Sequence, residues 1–196
     1  MSAPPSFPSA AARVVDAFTP THVLSLSFGA SAAVAEGSEQ TPTQCASPPT
    51  VTLTLADGSP APGHFTLILS DPDAPSVADP KFGEWQHWVL VNAAATGPGG
   101  ALAGGEARTA YFGSAPGKDS GAHRYCLVAY AQPGGARIEP SEAPVSATSG
   151  FPPRRSFNSR AFAERYGLAA VAALTYVASW DEAVPELAKK LAPPEA

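Results

Sequence analysis

The chain is poor in charge and thiols and has no long apolar run, and each shortage excludes a class of protein. Only 15% of the 196 residues are charged and 44% are hydrophobic, which fits neither a disordered chain nor a coiled coil. A net charge of −5 argues against a nucleic-acid-binding surface. No apolar run approaches the length of a membrane span, and no basic and apolar segment resembling a secretory signal begins the chain. These shortages predict a cytoplasmic protein without a transmembrane span.

The cysteine, proline and glycine contents narrow the class further. Cys45 and Cys126 are far apart and lack metal-ligand spacing, so we expect two reduced thiols. The 22 prolines and 17 glycines favour a fold rich in loops and turns over a helical bundle. The length suits one domain. We predict an N-terminal arm at 1–20, with a short helical turn, and a single domain at 21–196.

Apolar patterning predicts strands first and helices last. Alternation with period two, or a short apolar run, marks strands near residues 22–28, 51–55, 64–70, 87–92 and 123–131. Helical patterns come only late, near residues 160–167, 170–178 and 183–191, with Asp181 as a cap and Pro185 in the first turn of the last helix. The Gly- and Ala-rich stretch between Asn92 and Tyr111 is typical of a mobile surface loop. The order indicates a β-rich α+β domain.

Two carboxylates stand one residue apart directly after the strand at 64–70, in the sequence Asp71-Pro72-Asp73-Ala74-Pro75. The prolines prevent a central strand or an ordinary helix from continuing, so the segment predicts a stiff loop. One aspartate is expected to cap backbone N–H groups while the other faces a cavity. Asp-Pro is also a common start of a simple turn, and that interpretation stays open.

Three further stretches begin or end predicted strands, so their side chains can converge with this loop on one pocket. They are Glu84-Trp85-Gln86-His87-Trp88, the small-residue loop at 111–121, and His123-Arg124-Tyr125. Backbone N–H groups of the loop are candidates for an anion-binding nest. By the period-two rule Arg124 faces away from its two neighbours, and we expect it to pair with Asp71 or Glu84.

Catalysis and metal binding find less support in the sequence. No His-x-His or His-x-x-x-His spacing favours zinc. The stretch Phe112-Gly113-Ser114-Ala115-Pro116 lacks the Gly-x-Ser-x-Gly pattern of a nucleophilic serine. A hydrolase acting on a small ester or phosphate remains the alternative, because His and Asp in one cleft can perform acid–base chemistry.

These motifs together resemble the phosphatidylethanolamine-binding proteins, also called Raf kinase inhibitor proteins. The Asp-Pro-Asp-x-Pro hallmark stands at 71–75, followed by Glu84-Trp85-x-His87-Trp88 and Gly121-x-His123-Arg124-Tyr125. Three motifs in order and at the family's spacing are far more specific than one short match. Including the C-terminal Tyr176-x-Ala178-x-Trp180-Asp181, the resemblance covers the chain from about Thr19.

The resemblance implies a β-sandwich-like core with short peripheral and C-terminal helices, a cis Ala74–Pro75 peptide, and a cavity for phosphate or phosphoethanolamine-type head groups. It implies a non-enzymatic, monomeric regulator without cofactor or metal, whose partners include a phospholipid head group and possible protein targets of two kinds, a protein kinase or a serine carboxypeptidase. Departures from the family pattern stand at Phe82, Gln86, Ala115 and Gly117. The cavity positions, carried over from the matching motifs and the loop, are Asp71, Asp73, Trp85, His87, Gly113, Ser114, Ala115, Pro116, His123 and Tyr125.

The predicted cavity combines donors for a phosphate with acids for an amine. We therefore expect phosphate affinity to rise when both imidazoles protonate below about pH 6.5. Paired aspartates would favour an aminated ligand, so phosphoethanolamine is expected to bind more tightly than inorganic phosphate.

Overall fold

A computed structural model describes residues 8–191, and strands dominate it. All nine strands belong to one hydrogen-bonded sheet that curls into an open half-barrel, with two α-helices among the described residues. The elements are β1 (Val23–Ser27), β2 (Glu39–Gln40), β3 (Thr50–Thr54), β4 (His64–Asp71), β5 (Trp85–Thr96), β6 (Ala101–Ala103), β7 (Glu106–Thr109), β8 (His123–Ala131), α1 (Ser159–Arg165), β9 (Ala169–Ala178) and α2 (Val184–Lys189). A 3-10 turn at Ser9–Arg13 begins the described part of the arm, and residues 1–7 of the predicted arm lie outside it.

The strands are ordered β1, β3, β6, β5, β4, β8, β9, β2, with β7 beside β5. Every pairing along this order is antiparallel except that of β2 with β9. This confirms the β-rich α+β class, while a division into the two sheets of a sandwich is not confirmed. The five predicted strands correspond to β1, β3, β4, β5 and β8.

Apolar residues cover both faces of the central strands. In β4, Leu67 and Leu69 pack into one hydrophobic cluster with Leu127, while Ile68 packs into a second cluster on the other face with Val128. Alternate residues of a strand point to opposite faces, so a nearly continuous apolar run buries side chains on both sides. Each such buried side chain stabilises the fold by about 2 kcal/mol relative to exposure. The result is a rigid platform whose strand ends carry the candidate site.

Two expectations about the elements are wrong. Residues 170–178 form β9 rather than a helix, because this strand pairs with β8 from Ala178 to Ala169 and its ladder overrides the helical preference of alanine. The Gly- and Ala-rich stretch after Asn92 is not a loop throughout: β5 continues to Thr96 and pairs with β6 and β7. The short strand β6 lies between β3 and β5 and pairs with both of them.

The two helical expectations near the C-terminus are confirmed by α1 and α2. The side chain of Asn158 caps α1 by accepting a hydrogen bond from the Ala161 N–H at 2.9 Å. The N-cap residue of α2 is Ala183 rather than the expected Asp181, which accepts a 2.9 Å hydrogen bond from the Ala183 N–H; Pro185 lies in the first turn as expected. Leu187 is buried against the aromatic residues that border the candidate site, so α2 closes one side of it.

Candidate functional site

A cavity of about 240 Å³ opens at one edge of the central sheet. The antiparallel order brings the end of β4 beside the starts of β5 and β8, so Asp71, Trp85 and His123 meet there. Fourteen residues line the cavity: Asp71, Ala74, Pro75, Phe82, Trp85, His87, Phe112, Ala115, Gly117, His123, Phe151, Arg155, Val184 and Ala188. The motifs that the sequence singled out therefore do converge.

The lining has a buried floor and an exposed mouth. Five floor residues are buried: Asp71, Trp85, His87, Phe112 and His123. Side chains at the mouth are more accessible, and Phe151 is 41% exposed. Phe82, Arg155 and Val184 complete the mouth. A ligand can thus bury a polar group against the floor while its remainder meets apolar side chains and one arginine.

Asp71 and His123 form a buried pair on this floor. The Nδ1 atom of His123 lies 2.7 Å from Oδ2 of Asp71, and Oδ1 of Asp71 accepts a hydrogen bond from the Asp73 N–H at 2.7 Å. Burial raises the pKa of Asp71, and the hydrogen bond from His123 opposes the rise. The Nε2 atom of His123 is buried without a hydrogen-bond partner among residues 8–191. Among the lining residues, this nitrogen is the buried side-chain atom that has no hydrogen-bond partner.

His87 has a different electrostatic role. Its Nδ1 atom lies 2.8 Å from the carbonyl oxygen of Phe112, and its ring packs against Trp85 with 4.5 Å between centroids. Burial lowers the pKa of His87 to about 3, so this imidazole is neutral at physiological pH. The expectation that both imidazoles protonate below about pH 6.5 is therefore wrong for His87. His87 contributes an uncharged aromatic surface.

Asp73 lies beside the cavity but does not line it. Its carboxylate accepts hydrogen bonds from the backbone N–H and from Nε of Arg124 at 2.9 and 2.8 Å, and Arg13 approaches at 3.2 Å. The expectation that Arg124 pairs with Asp71 or Glu84 is wrong: its partner is Asp73. Burial raises the pKa of Asp73, but the Arg124 hydrogen bonds and the Arg13 charge outweigh it and hold the pKa below its ordinary value. Glu84 instead accepts from Ser70 and Ser159.

The small-residue loop supports the floor from behind. The structure brings Ala115 and Gly117 to the cavity surface, whereas Gly113, Ser114 and Pro116 do not line it. Gly113 is required by close packing, since a Cβ there would collide with the Cys45 carbonyl oxygen. None of residues 113–117, all of which are described, has a positive φ, so this part of the loop lacks the alternation that defines a nest.

Tyr125 is also behind the surface. Its ring stacks on Tyr176 at 5.2 Å and meets the His87 ring edge-on at 5.0 Å, and the residue is fully buried. Burial raises the pKa of its phenol well above the ordinary value. Tyr125 holds His87 in place, and the cavity lining does not include it.

The proline-rich loop has the expected backbone. The Ala74–Pro75 peptide is cis, which confirms the prediction, and Gly83–Glu84 is a second cis peptide. The loop closes through a 2.9 Å hydrogen bond from the Phe82 N–H to the Ala74 carbonyl. A Cβ on Gly83 would collide with the Pro72 carbonyl oxygen, so this close approach requires glycine.

Sequence reasoning missed two consecutive arginines. Arg154 is fully buried, and its guanidinium lies 5.4 Å from the Trp85 ring and 5.8 Å from the Phe112 ring, behind the cavity wall. It donates hydrogen bonds to the carbonyls of Gln86 and Ala110, and burial lowers its pKa to about 10. Arg155 lies at the mouth. Both come from a loop whose composition carries no helix or strand signal.

Val184 and Ala188 of α2 were missed as well, although the sequence contained a signal for them. They stand four residues apart, so they share one face of the helix, and that face meets the cavity.

Within residues 8–191 no cluster of three potential metal ligands occurs, and no helix combines the length and apolar character needed to cross a bilayer. Cys45 and Cys126 are both buried and free.

The chain is similar to known proteins over most of its length. Residues 15–176 match the model of a family described as phosphatidylethanolamine-binding protein. A solved carboxypeptidase Y inhibitor in complex with its cognate proteinase is 26% identical, with a TM-score of 0.68 over 84% of this chain and 86% of that one. The solution structure of a protein named CG7054 is 32% identical, with a TM-score of 0.67 over 94% of this chain and 99% of that one. A phosphatidylethanolamine-binding protein from Plasmodium vivax shares the fold at 16% identity and a TM-score of 0.58, over 83% and 87% of the two chains.

Proposed function

Because the chain belongs to the phosphatidylethanolamine-binding protein family, we propose that it is a non-enzymatic binding protein whose cavity holds a phosphate or a phosphoethanolamine-type head group. The observation that carries the proposal is the Asp71–His123 pair on the cavity floor. With Nδ1–H directed to the carboxylate, a protonated imidazole presents Nε2–H to the cavity as a charged donor. A buried donor without a protein partner is costly unless a ligand supplies the acceptor.

We expect a bound anion to accept a hydrogen bond from Nε2 of His123, because this atom is the unsatisfied buried polar atom among the lining residues. His87 does not take part, since its pKa is about 3. The buried rings of Trp85 and Phe112 beside the pair lower the local dielectric, which strengthens a charged hydrogen bond.

Isothermal titration with phosphate and with phosphoethanolamine tests this site. His123→Ala is expected to lower the affinity for both ligands about tenfold or more, which is the usual effect of losing a hydrogen bond to a charged group. His64→Ala is the matched control, because His64 lies at the opposite end of β4 from Asp71. Equal affinities in wild type and His123→Ala would overturn the proposal.

A hydrolase in the same cavity is the second candidate, because an aspartate that orients a histidine is also the arrangement of a general base. Against it, the fourteen lining residues include no serine, threonine or cysteine that could act as a nucleophile. The two functions separate with p-nitrophenyl phosphate and p-nitrophenyl acetate. A binding protein is expected to bind the phosphate without turnover, whereas saturable hydrolysis that is lost in His123→Ala would favour the enzyme.

A regulatory role toward a second protein is part of the proposal. The similarity to a carboxypeptidase Y inhibitor supports a serine carboxypeptidase as the target, with a protein kinase pathway as the alternative. Steady-state hydrolysis of a peptide by carboxypeptidase Y, with increasing amounts of this protein, tests the first. Dose-dependent inhibition is expected. An unaffected protease together with altered kinase signalling would favour the alternative.

We also propose that the protein is a cytoplasmic monomer, which fractionation and light scattering would check.

A further inference from the structure

Arg155 is the one lysine or arginine among the residues that line the cavity. It follows a 3-10 turn at Pro152–Arg154, and its guanidinium lies 4.1 Å from the centroid of the Phe82 ring. A guanidinium stacked on an aromatic face is held by the ring quadrupole and keeps its charge in water. Phe82 therefore fixes a positive charge at the cavity mouth.

Among the fourteen residues that line the cavity, no free carboxylate balances this charge. Asp71 is the single acid in the lining, and its two oxygens already accept from His123 and from the Asp73 N–H. Asp73 binds Arg124 and Arg13 behind the loop. The expected preference for an amine relied on both Asp71 and Asp73. In the structure, neither aspartate has a free carboxylate beside the mouth.

We propose that Arg155 makes this cavity select phosphate esters by the charge of their substituent, favouring anionic substituents and disfavouring ammonium groups. The inference rests on the proposed function, with the phosphate bound at His123 on the floor. A short substituent then extends toward the mouth, where it meets Arg155, Phe82 and Phe151. An anionic substituent is attracted to the guanidinium, and an ammonium group is repelled by it.

The preference follows from elementary electrostatics. If a ligand substituent lies about 6 Å from the Arg155 guanidinium in a solvent-accessible site, replacing its positive charge by a negative one changes the affinity about tenfold. Lys81 offers a matched comparison, since its ammonium also lies over the Phe82 ring, at 5.7 Å, but it pairs with Asp79 and does not line the cavity. The two cations share one ring and differ in access to the ligand.

Calorimetric titration with phosphoglycolate and phosphoethanolamine tests the proposal, because these two-carbon phosphate monoesters differ mainly in the charge of the substituent. At about pH 7.5 both phosphates are largely dianionic. Wild type is expected to bind phosphoglycolate about tenfold more tightly than phosphoethanolamine. Arg155→Gln should abolish that ratio, Arg155→Lys should retain part of it, and Lys81→Gln should leave it unchanged.

The outcomes separate this inference from the proposed function. If both ligands bind, require His123, and show the same ratio in wild type and Arg155→Gln, the role of Arg155 is overturned and the phosphate site stands. A wild-type preference for phosphoethanolamine also overturns it. If neither ligand binds wild type, the proposed function and this inference both fail. Far-UV circular dichroism of the Arg155 and Lys81 variants, both substituted at exposed positions, checks that they are folded.

Discussion

Oδ2 of Asp71 and Nδ1 of His123 are 2.7 Å apart, and both side chains are almost completely buried. This relationship orients the imidazole, because the carboxylate holds the Nδ1 proton and leaves Nε2 for the cavity. It joins the last residue of β4 to the first residue of β8, so the site is built on the ends of two paired central strands.

Asp71→Asn tests this orientation at nearly constant volume. The amide cannot stabilise an imidazolium as a carboxylate does, so we expect phosphate affinity to fall about tenfold. Calorimetric titration with phosphate measures this loss. Asp79→Asn is the control, since Asp79 lies on the same loop and is exposed. Unchanged phosphate affinity in Asp71→Asn would show that the pair has no part in binding.

Asp73→Asn tests the ion pairs behind the loop. Loss of the carboxylate leaves Arg124 and Arg13 without their partner, and we expect the free energy of unfolding to decrease by about 2–3 kcal/mol. This decrease is smaller than that for a fully buried ion pair, because both arginines reach solvent. Urea unfolding at neutral pH measures it.

The pH dependence of that difference has a definite sign. The pKa of Asp73 is depressed in the folded protein, so its stabilising effect is present above the unfolded value of about 3.9 and is lost as the pH falls through the folded value. Wild type and Asp73→Asn should therefore converge in stability below about pH 4. A difference that persists unchanged in acid would contradict the ion-pair explanation.

Arg154→Met tests the buried arginine behind the wall. Methionine leaves the carbonyls of Gln86 and Ala110 without donors, so we expect a loss of about 3–5 kcal/mol in the free energy of unfolding. The neighbouring Arg155→Met is the control, and its exposed side chain predicts a change within about 0.5 kcal/mol. Equal effects of the two substitutions in thermal or urea unfolding would refute the structural role of Arg154.

His87 provides a spectroscopic prediction. Because burial lowers its pKa to about 3, its ring carbon and proton NMR shifts should stay constant between about pH 5 and pH 8. Folding should then weaken as the pH falls below about 6.5, since the unfolded chain binds a proton there that folded His87 does not. A titration midpoint near pH 6.5 assigned to the His87 ring would contradict the buried neutral imidazole.

Of the ten cavity positions that the family resemblance implied, Asp71, Trp85, His87, Ala115 and His123 line the cavity, and the other five do not. Prolines and strand ends are local signals that mark the loop and the strand starts, but they do not tell which side chains reach the cavity surface. The helix expected at 170–178 failed because an alanine-rich segment is decided by its neighbour, and β8 provides a ladder partner along the whole strand.

The partner of Arg124 and the role of Arg155 could not be predicted from the sequence. The period-two rule gave the correct side of β8 for Arg124, but it could not tell which nearby acid turns to that side. Arg155 reaches the cavity from a loop 32 residues downstream of His123 in the numbering, and only the tertiary fold brings it over Phe82.

The central claim is that an anion binds at the floor beside His123, and backbone NMR titration with inorganic phosphate tests it most directly. A second, polar cavity of about 180 Å³ behind the loop, lined by Arg13, Asn158 and Arg160 among others, offers a competing place for an anion. We predict saturable shifts concentrated at Asp71, Ala115 and His123, and their loss in His123→Ala. Shifts concentrated at the second cavity, or the same shifts in His123→Ala, would contradict the assignment.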